Sequence, residues 1–301
     1  MLLKMKAVSS ILRLIRVRQW SKNMLLFTSL FAAHQFGDIS ALKKLLVAFF
    51  AFSFCASSVY IINDLVDVRV DRNHPIKKFR PIAAGEVNPK VGVALVPLFL
   101  TTSMLLGFWV GIEFLSIMFF YFVVTCGYSI WLKRFPLIDC FTLALLYTLR
   151  VIAGAVVIKI SPSFWLLTFS FFIFLSLANL KRFSELQLQS TAGKLELEGR
   201  GYSSSDATLV RTIGICSGFT SSLVLALYVQ GEKVTNLYSQ PEFIWVAVPL
   251  LLFWISWLWA KAEKGQLQID PLDYALQDKV SFFAGFLIVF CFFLATNGVK
   301  F

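Results

Sequence analysis

Nine apolar runs, most of them close to the length a helix needs to cross a bilayer, recur along this chain and narrow what it can fold into. They lie near 23–37, 43–66, 91–112, 114–132, 138–158, 163–182, 207–230, 242–262 and 280–298. In lipid a backbone must satisfy its own polar groups, and runs of this length do so as helices. Composition agrees: 58% of residues are hydrophobic and 15% charged, against about 25% charged in soluble domains, and the mean hydropathy is +0.75. The expectation is an all-α polytopic membrane protein, a bundle of about nine transmembrane helices forming one domain over 1–301.

The charges are distributed unevenly. With the N-terminus inside, one side of the membrane collects Lys4, Lys6, Arg13, Arg16, Arg18, Lys22, the cluster within 69–90, Lys133, Arg134, Lys181, Arg182, Lys194, Arg200, Arg211, Lys261, Lys264 and Lys279. The other side keeps Lys43, Lys44, Lys159, Lys233 and Lys300. That bias predicts a cytoplasmic N-terminus in a multi-pass cell-membrane protein. Topology and anionic lipid headgroups account for scattered cations, but the dense clusters call for a further reason. Residues 1–22 are too charged for a signal-peptide core and read as a basic amphipathic segment on the inner surface, with Trp20 at the interface.

Long cytoplasmic connections follow the second, sixth and eighth runs, so the bundle is expected to open a polar cavity to that side, with loops over 67–90 and 183–206 around it. Asp206, or a serine in the preceding run, is placed to cap the seventh span. Cys55, Cys126, Cys140, Cys216 and Cys291 form no close pair and read as small structural residues. Nothing in the pattern points to nucleic acid. Homo-oligomerisation stays open, because lipid-facing and subunit-facing surfaces are both apolar.

At the end of the second run stands Asn63-Asp64-Leu65-Val66-Asp67-Val68-Arg69-Val70-Asp71. Asp64, Asp67 and Asp71 are spaced i, i+3 and i+7, which on a helix puts them on one face bordered by Asn63. Three like charges there repel one another unless a cation joins them, and acidic residues at a membrane are functional by default. Hard oxygen donors suit Mg²⁺, which binds through one or two carboxylates together with substrate phosphates. The next segment supplies Arg72, His74, Lys77, Lys78 and Arg80, shaped into a loop by Pro75 and Pro81. Arginine grips phosphate with paired hydrogen bonds and lysine adds a point charge. Metal-binding acids beside a cationic loop make a polyphosphate site. For Lys77 and Lys78 the topology bias is an equally good explanation, and His74 alone reads as a loop hydrogen-bonder.

These residues resemble a known family. Asn-Asp-x-x-Asp-x-x-x-Asp followed by Arg-x-His-Pro-x-Lys-x-x-Arg-Pro-Ile-Ala-Ala-Gly, over residues 63–85, looks like the first signature of the UbiA-type membrane prenyltransferase superfamily. The resemblance implies nine transmembrane helices and a Mg²⁺-bound diphosphate at this motif. Ordinary members carry a second Asp-rich motif after the sixth span. Here that stretch is Asn179-Leu180-Lys181-Arg182-Phe183-Ser184-Glu185-Leu186. With two cations and one acid it is a poor metal site and a better grip for a phosphate monoester. A helix end with an i, i+4 Lys181–Glu185 pair is the bland alternative.

The Lys-Arg-aromatic-x-Glu-Leu pattern is similar to the decaprenyl-phosphate phosphoribosyltransferase branch. So are Arg16-Val17-Arg18-Gln19-Trp20-Ser21-Lys22-Asn23, Tyr128-Ser129 with Lys133, Leu149-Arg150 with Ala153-Gly154, and Asp270-Pro271 through Asp278-Lys279. This resemblance implies transfer of 5-phosphoribose from phosphoribosyl pyrophosphate to a polyprenyl phosphate. Asp64 and Asp67, with Asp71 next, are then the expected metal ligands and catalytic acids. Arg72, Lys77 and Arg80 hold pyrophosphate. Lys181 and Arg182 hold the 5-phosphate, and Glu185 takes a ribose hydroxyl or orients a cation. Asn63, Lys22, Tyr128, Lys133 and Arg150 complete the polar wall. Arg150 sits inside an apolar run, where it either meets a substrate phosphate or forms a buried pair with Asp139 or a motif aspartate.

Two other readings stand beside this one. A true prenyltransferase would pass a prenyl group from its diphosphate to a lipophilic acceptor, and the missing second Asp-rich motif argues against it. A lipid or solute transporter would line a path with charges near the midplane, whereas here the charges gather on one side.

Overall fold

In the computed structural model the described residues are 2–34, 37–73, 77–191, 199–231, 234, 237–267 and 270–297. The readings made at His74, Pro75, Lys194, Lys233 and Lys300 fall outside them. The described residues form an all-helical structure without strands. After α1 (Leu2–Leu14), the long helices are α2 (Ile39–Val66), α3 (Pro89–Val110), α4 (Ile112–Ile130), α5 (Ile138–Val157), α6 (Phe164–Thr191), α7 (Ala207–Val229), α8 (Glu242–Glu263) and α9 (Lys279–Asn297). Eight of the described helices are long and apolar enough to cross a membrane.

The apolar run over 23–37 differs from the expectation. It is a 3₁₀ segment, Val17–Phe27, followed by a five-residue helix, Thr28–Ala32. The run contains polar groups that are spent on packing. Asn23 Nδ2 donates to Ser53 Oγ at 3.0 Å, and Ser29 Oγ donates to the Val151 carbonyl at 2.9 Å. A 3₁₀ stretch this long is uncommon, and irregular backbone at membrane depth persists where protein covers it. The expected loop over 183–206 differs too, because α6 runs on to Thr191 and carries Lys181, Arg182 and Glu185 inside a continuous helix. The 67–90 region contains a short helix, Val68–Asn73, and a 3₁₀ turn, Lys77–Phe79.

The chain divides into two compact units. The first comprises Met1–Ile130 and Leu149–Pro162. Asp38 starts α2 by accepting the amide hydrogens of Ser40 and Ala41, and Asn88 starts α3 in front of Pro89. α2 is the centre of this unit, packing on α3, α4 and the 3₁₀ segment. Its spanning window is 61% buried, against 17% for α3 and for α4. Buried Ser53, Ser57 and Ser58 keep α2 slim enough for close approach. Gly154 does the same for the far half of α5, since a Cβ there would strike the Leu26 carbonyl.

The second unit comprises Trp131–Thr148 and Ser163–Phe301. Within it α6 packs on α7, and α8 on α7 and α9. Gly214 and Gly218, one turn apart on α7, admit the Trp259 ring and the Ser176 and Ile255 side chains. In lipid such van der Waals fit, rather than water exclusion, holds helices together. Ser203 and Asp206 form a capping box on the 3₁₀ turn Ser204–Asp206 that leads into α7, whereas at the start of α7 itself Asp206 makes no side-chain cap.

Candidate active site

The first unit gathers the acids of the 63–71 segment with two arginines. Asp64 and Asp71 are buried, while Asn63 and Asp67 are half-buried. α2 ends at Asp67, yet the hydrogen-bond ladder runs through the step: the Asp67 N–H donates to the Asn63 carbonyl at 2.9 Å and the Asp71 N–H to the Asp67 carbonyl at 2.8 Å. Arg16 Nη2 donates to Asp64 Oδ1 at 2.6 Å. Arg80 Nη1 lies 3.2 Å from that same oxygen and 2.7 Å from Asp71 Oδ2. One nitrogen thus reaches both carboxylates, so Asp64 and Asp71 present oxygens to a common point of positive charge. That donor set fits Mg²⁺, which needs only one or two carboxylates when phosphate and water complete its shell. Among the described residues no three acid, histidine or cysteine side chains assemble into a cage, so Asp67 does not join the other two as a third preset ligand.

Around this pair the expected cations take different positions. Arg72 is exposed and Lys77 half-buried. Lys22 is buried on the 3₁₀ segment. Arg150, also buried, donates from Nε to Asn23 Oδ1 at 2.9 Å and from Nη2 to the Tyr121 hydroxyl at 2.8 Å. Its fork therefore ties α5 to the 3₁₀ segment and α4. Tyr128 is half-buried near the end of α4.

In the second unit Lys181 and Arg182 are adjacent on α6, and Glu185 lies about one turn further on. Lys181 Nζ pairs with Asp270 Oδ2 at 3.0 Å, and Asp270 also caps the short helix Pro271–Gln277. This replaces the expected Lys181–Glu185 pair. Glu185 instead accepts from Arg182 Nη1. Arg182 is fully buried, with Nε and Nη2 both 2.7 Å from Asp139 Oδ2 and its guanidinium 5.5 Å from the centre of the Tyr202 ring. An arginine expected to grip phosphate is thus spent on two carboxylates, and its position makes it the strut that aims Glu185. Arg200 Nη1 reaches the other Asp139 oxygen at 3.2 Å and its Nε lies 4.0 Å from Glu185. Lys133 is half-buried in the same unit.

The segment bearing Arg200 is fixed by neighbours. The Gly201 N–H donates to the Arg134 carbonyl at 3.0 Å, and the Leu137 N–H donates to the Tyr202 hydroxyl at 2.9 Å. Burial pushes the Tyr202 hydroxyl well above the ordinary tyrosine range, so it stays protonated. Sequence reasoning missed Arg16, Asp139, Arg200 and Tyr202 as members of these clusters. Two local signals were present: Arg16 at the head of the 16–23 segment, and Asp139, an acid at the mouth of an apolar run.

Comparison with known proteins follows the same lines. The chain matches the UbiA prenyltransferase family over residues 24–264. It is 36% identical over 282 residues to the uncharacterised protein y4nM of Sinorhizobium fredii; the match covers 93% of this chain but 55% of that longer protein. It is 32% identical over 281 residues to the decaprenyl-phosphate phosphoribosyltransferase of Mycolicibacterium smegmatis, covering 91% of this chain and 88% of the relative. A solved UbiA homolog from Archaeoglobus fulgidus bound to GPP and Mg²⁺ shares the fold, with a TM-score of 0.69 at 17% identity over 95% of this chain and 98% of that one.

Proposed function

This chain belongs to the UbiA prenyltransferase family, and on that premise we propose that it transfers 5-phosphoribose from phosphoribosyl pyrophosphate to a polyprenyl phosphate, with Mg²⁺, at the cytoplasmic face of the membrane. The observation that carries this reading is the difference between the two clusters. Asp64 and Asp71 converge on a point of positive charge, while the α6 cluster offers Lys181 beside one half-exposed acid, Glu185, in place of a second acidic metal site. The 32% identity to a decaprenyl-phosphate phosphoribosyltransferase supports the same donor and acceptor.

In the proposed reaction the bond from ribose C1 to the pyrophosphate oxygen breaks, and a bond from C1 to an oxygen of the lipid phosphate forms. Asp64 and Asp71 would hold Mg²⁺, which would supply neutralisation of the charge growing on the leaving pyrophosphate. Asp67, half-buried next along the chain, would orient a cation of the site. Arg80, Lys77 and Arg72 bind the pyrophosphate oxygens. Lys181 holds the 5-phosphate as a point charge, and Glu185, aimed by Arg182, accepts from a ribose hydroxyl. Lys22, Asn63 and Tyr128 add polar groups in the first unit, where Arg150 holds Asn23 and Tyr121 in place, and Lys133 adds a cation in the second. The lipid phosphate is already anionic and attacks without a strong base, so positioning and leaving-group stabilisation carry the rate.

Purified protein given phosphoribosyl pyrophosphate, a polyprenyl phosphate and Mg²⁺ is expected to release inorganic pyrophosphate only when both substrates are present. Release that does not depend on the lipid would overturn the reading.

A further inference from the structure

Arg16 holds a backbone conformation that its residue type rarely adopts. With φ 52° and ψ 50° it sits in the left-handed region between α1 and the 3₁₀ segment, a placement that is strained for a non-glycine residue. The turn directs its side chain across the Tyr60 ring, 4.6 Å from the ring centre, onto Asp64 Oδ1 at 2.6 Å. The N-terminal arm is fastened beside it, with Ser10 Oγ donating to Glu86 at 2.6 Å and Arg13 paired to the same carboxylate. Leu14 and Ile15 pack with Ile61, Ile82 and Val87. The arm thus delivers one guanidinium to one carboxylate oxygen.

That oxygen is the one Arg80 also approaches. A Mg²⁺ ion bound to a carboxylate sits about 2.0–2.1 Å from its oxygen, so an ion at Asp64 Oδ1 and the two guanidinium groups compete for the same place. A metal arriving alone must displace Arg16 and leave it facing a like charge. A metal arriving with a diphosphate brings oxygens that Arg16 can grip with paired hydrogen bonds. We propose that Arg16 couples metal binding at Asp64 to diphosphate binding: it opposes the bare cation and favours the cation–diphosphate pair. This rests on the reading of Asp64 as a metal ligand. It adds a residue outside that ligand set and a rule for the order in which the site fills.

The test measures Mn²⁺ binding by electron paramagnetic resonance on the purified full chain, with and without pyrophosphate, for the wild type, Arg16→Gln, Arg16→Lys and Asp64→Asn. In the wild type pyrophosphate is expected to tighten Mn²⁺ binding about tenfold or more, within the usual range of coupling between ligands. Arg16→Gln should bind Mn²⁺ alone more tightly than the wild type and lose most of the pyrophosphate effect, a gain that a misfolded variant would not show. Arg16→Lys, which keeps the charge without the fork, should still oppose the bare cation and couple weakly. If Asp64→Asn leaves Mn²⁺ binding unchanged, the metal assignment itself fails. If Asp64→Asn abolishes binding while Arg16→Gln binds and couples like the wild type, the metal assignment stands and the role of Arg16 is overturned.

Discussion

Arg182 and Asp139 form an ion pair in which neither side chain has exposed surface, with Nη2 2.7 Å from Oδ2. The two positions lie on different helices, α5 and α6, in the same compact unit. A charge pair so placed contributes less through attraction than it costs when one partner is removed. Asp139→Ala is expected to lower stability by about 3–5 kcal/mol, the usual range for breaking a buried pair. The double variant Asp139→Leu with Arg182→Met should recover much of that loss, because the charges it leaves, Arg200 and Glu185, are both partly exposed and stand 4.0 Å apart. Thermal unfolding in detergent checks both, and a double variant no more stable than Asp139→Ala would contradict the assignment of the pair.

Lys181 stands apart from that buried network, on the Asp270 carboxylate at the edge of the same cluster. Lys181→Ala should raise the KM for phosphoribosyl pyrophosphate by about tenfold to a hundredfold, the range for a lost charged hydrogen bond. The KM for the lipid phosphate should change little. Initial-rate kinetics with each substrate varied in turn separate the two. Equal effects on both substrates would remove Lys181 from the sugar-phosphate site.

Gly154 packs its α-carbon against the Leu26 carbonyl, and Gly285 on α9 has open space around it. Gly154→Ala should therefore destabilise by about 1–3 kcal/mol through overpacking. Gly285→Ala should be neutral or stabilising, since alanine is the better helix former by about 1 kcal/mol. Melting temperatures of the two variants test the contrast, which tells close packing of the 3₁₀ segment apart from a general intolerance of alanine.

Asp278 starts α9. Burial alone would raise its carboxyl, but the Ser281 N–H and hydroxyl, each 2.8 Å away, the Trp257 indole at 3.0 Å and the nearby Lys261 charge together hold it below its ordinary value of 3.8. A carboxyl lowered by folding lends stability that is present above the unfolded value and is lost as pH falls through the folded one. Melting temperature should therefore drop on acidification below about pH 4. Asp278→Asn should start lower at neutral pH and lose less over that window. A wild-type and variant pair with parallel acid profiles would contradict this.

Local patterns in the sequence carried much of this account. Asp64 and Asp71, two helical turns apart, reach one arginine because α-helical hydrogen bonding continues through Asp67. The apolar runs over 43–66, 91–112 and onward match long helices because each satisfies its own backbone. The partners that are far apart in sequence were not legible. Arg16 meets Asp64 across 48 positions and Arg182 meets Asp139 across 43. Which arginine reaches substrate and which is a strut depends on such pairings, and helical spacing does not encode them. The 23–37 run misled for a related reason. Its hydropathy suits a span, yet Asn23 and Ser29 draw it into irregular structure through Ser53, Arg150 and the Val151 carbonyl.

The central claim is the identity of the transferred group, and one labelling experiment addresses it. Purified protein is given Mg²⁺, a polyprenyl phosphate and phosphoribosyl pyrophosphate labelled in the ribose, and in parallel a labelled prenyl diphosphate with an aromatic acceptor. The account predicts that label from the ribose enters the lipid phase, that Asp64→Asn prevents it, and that the parallel reaction yields nothing. Prenylation of the aromatic acceptor without ribose transfer would contradict it.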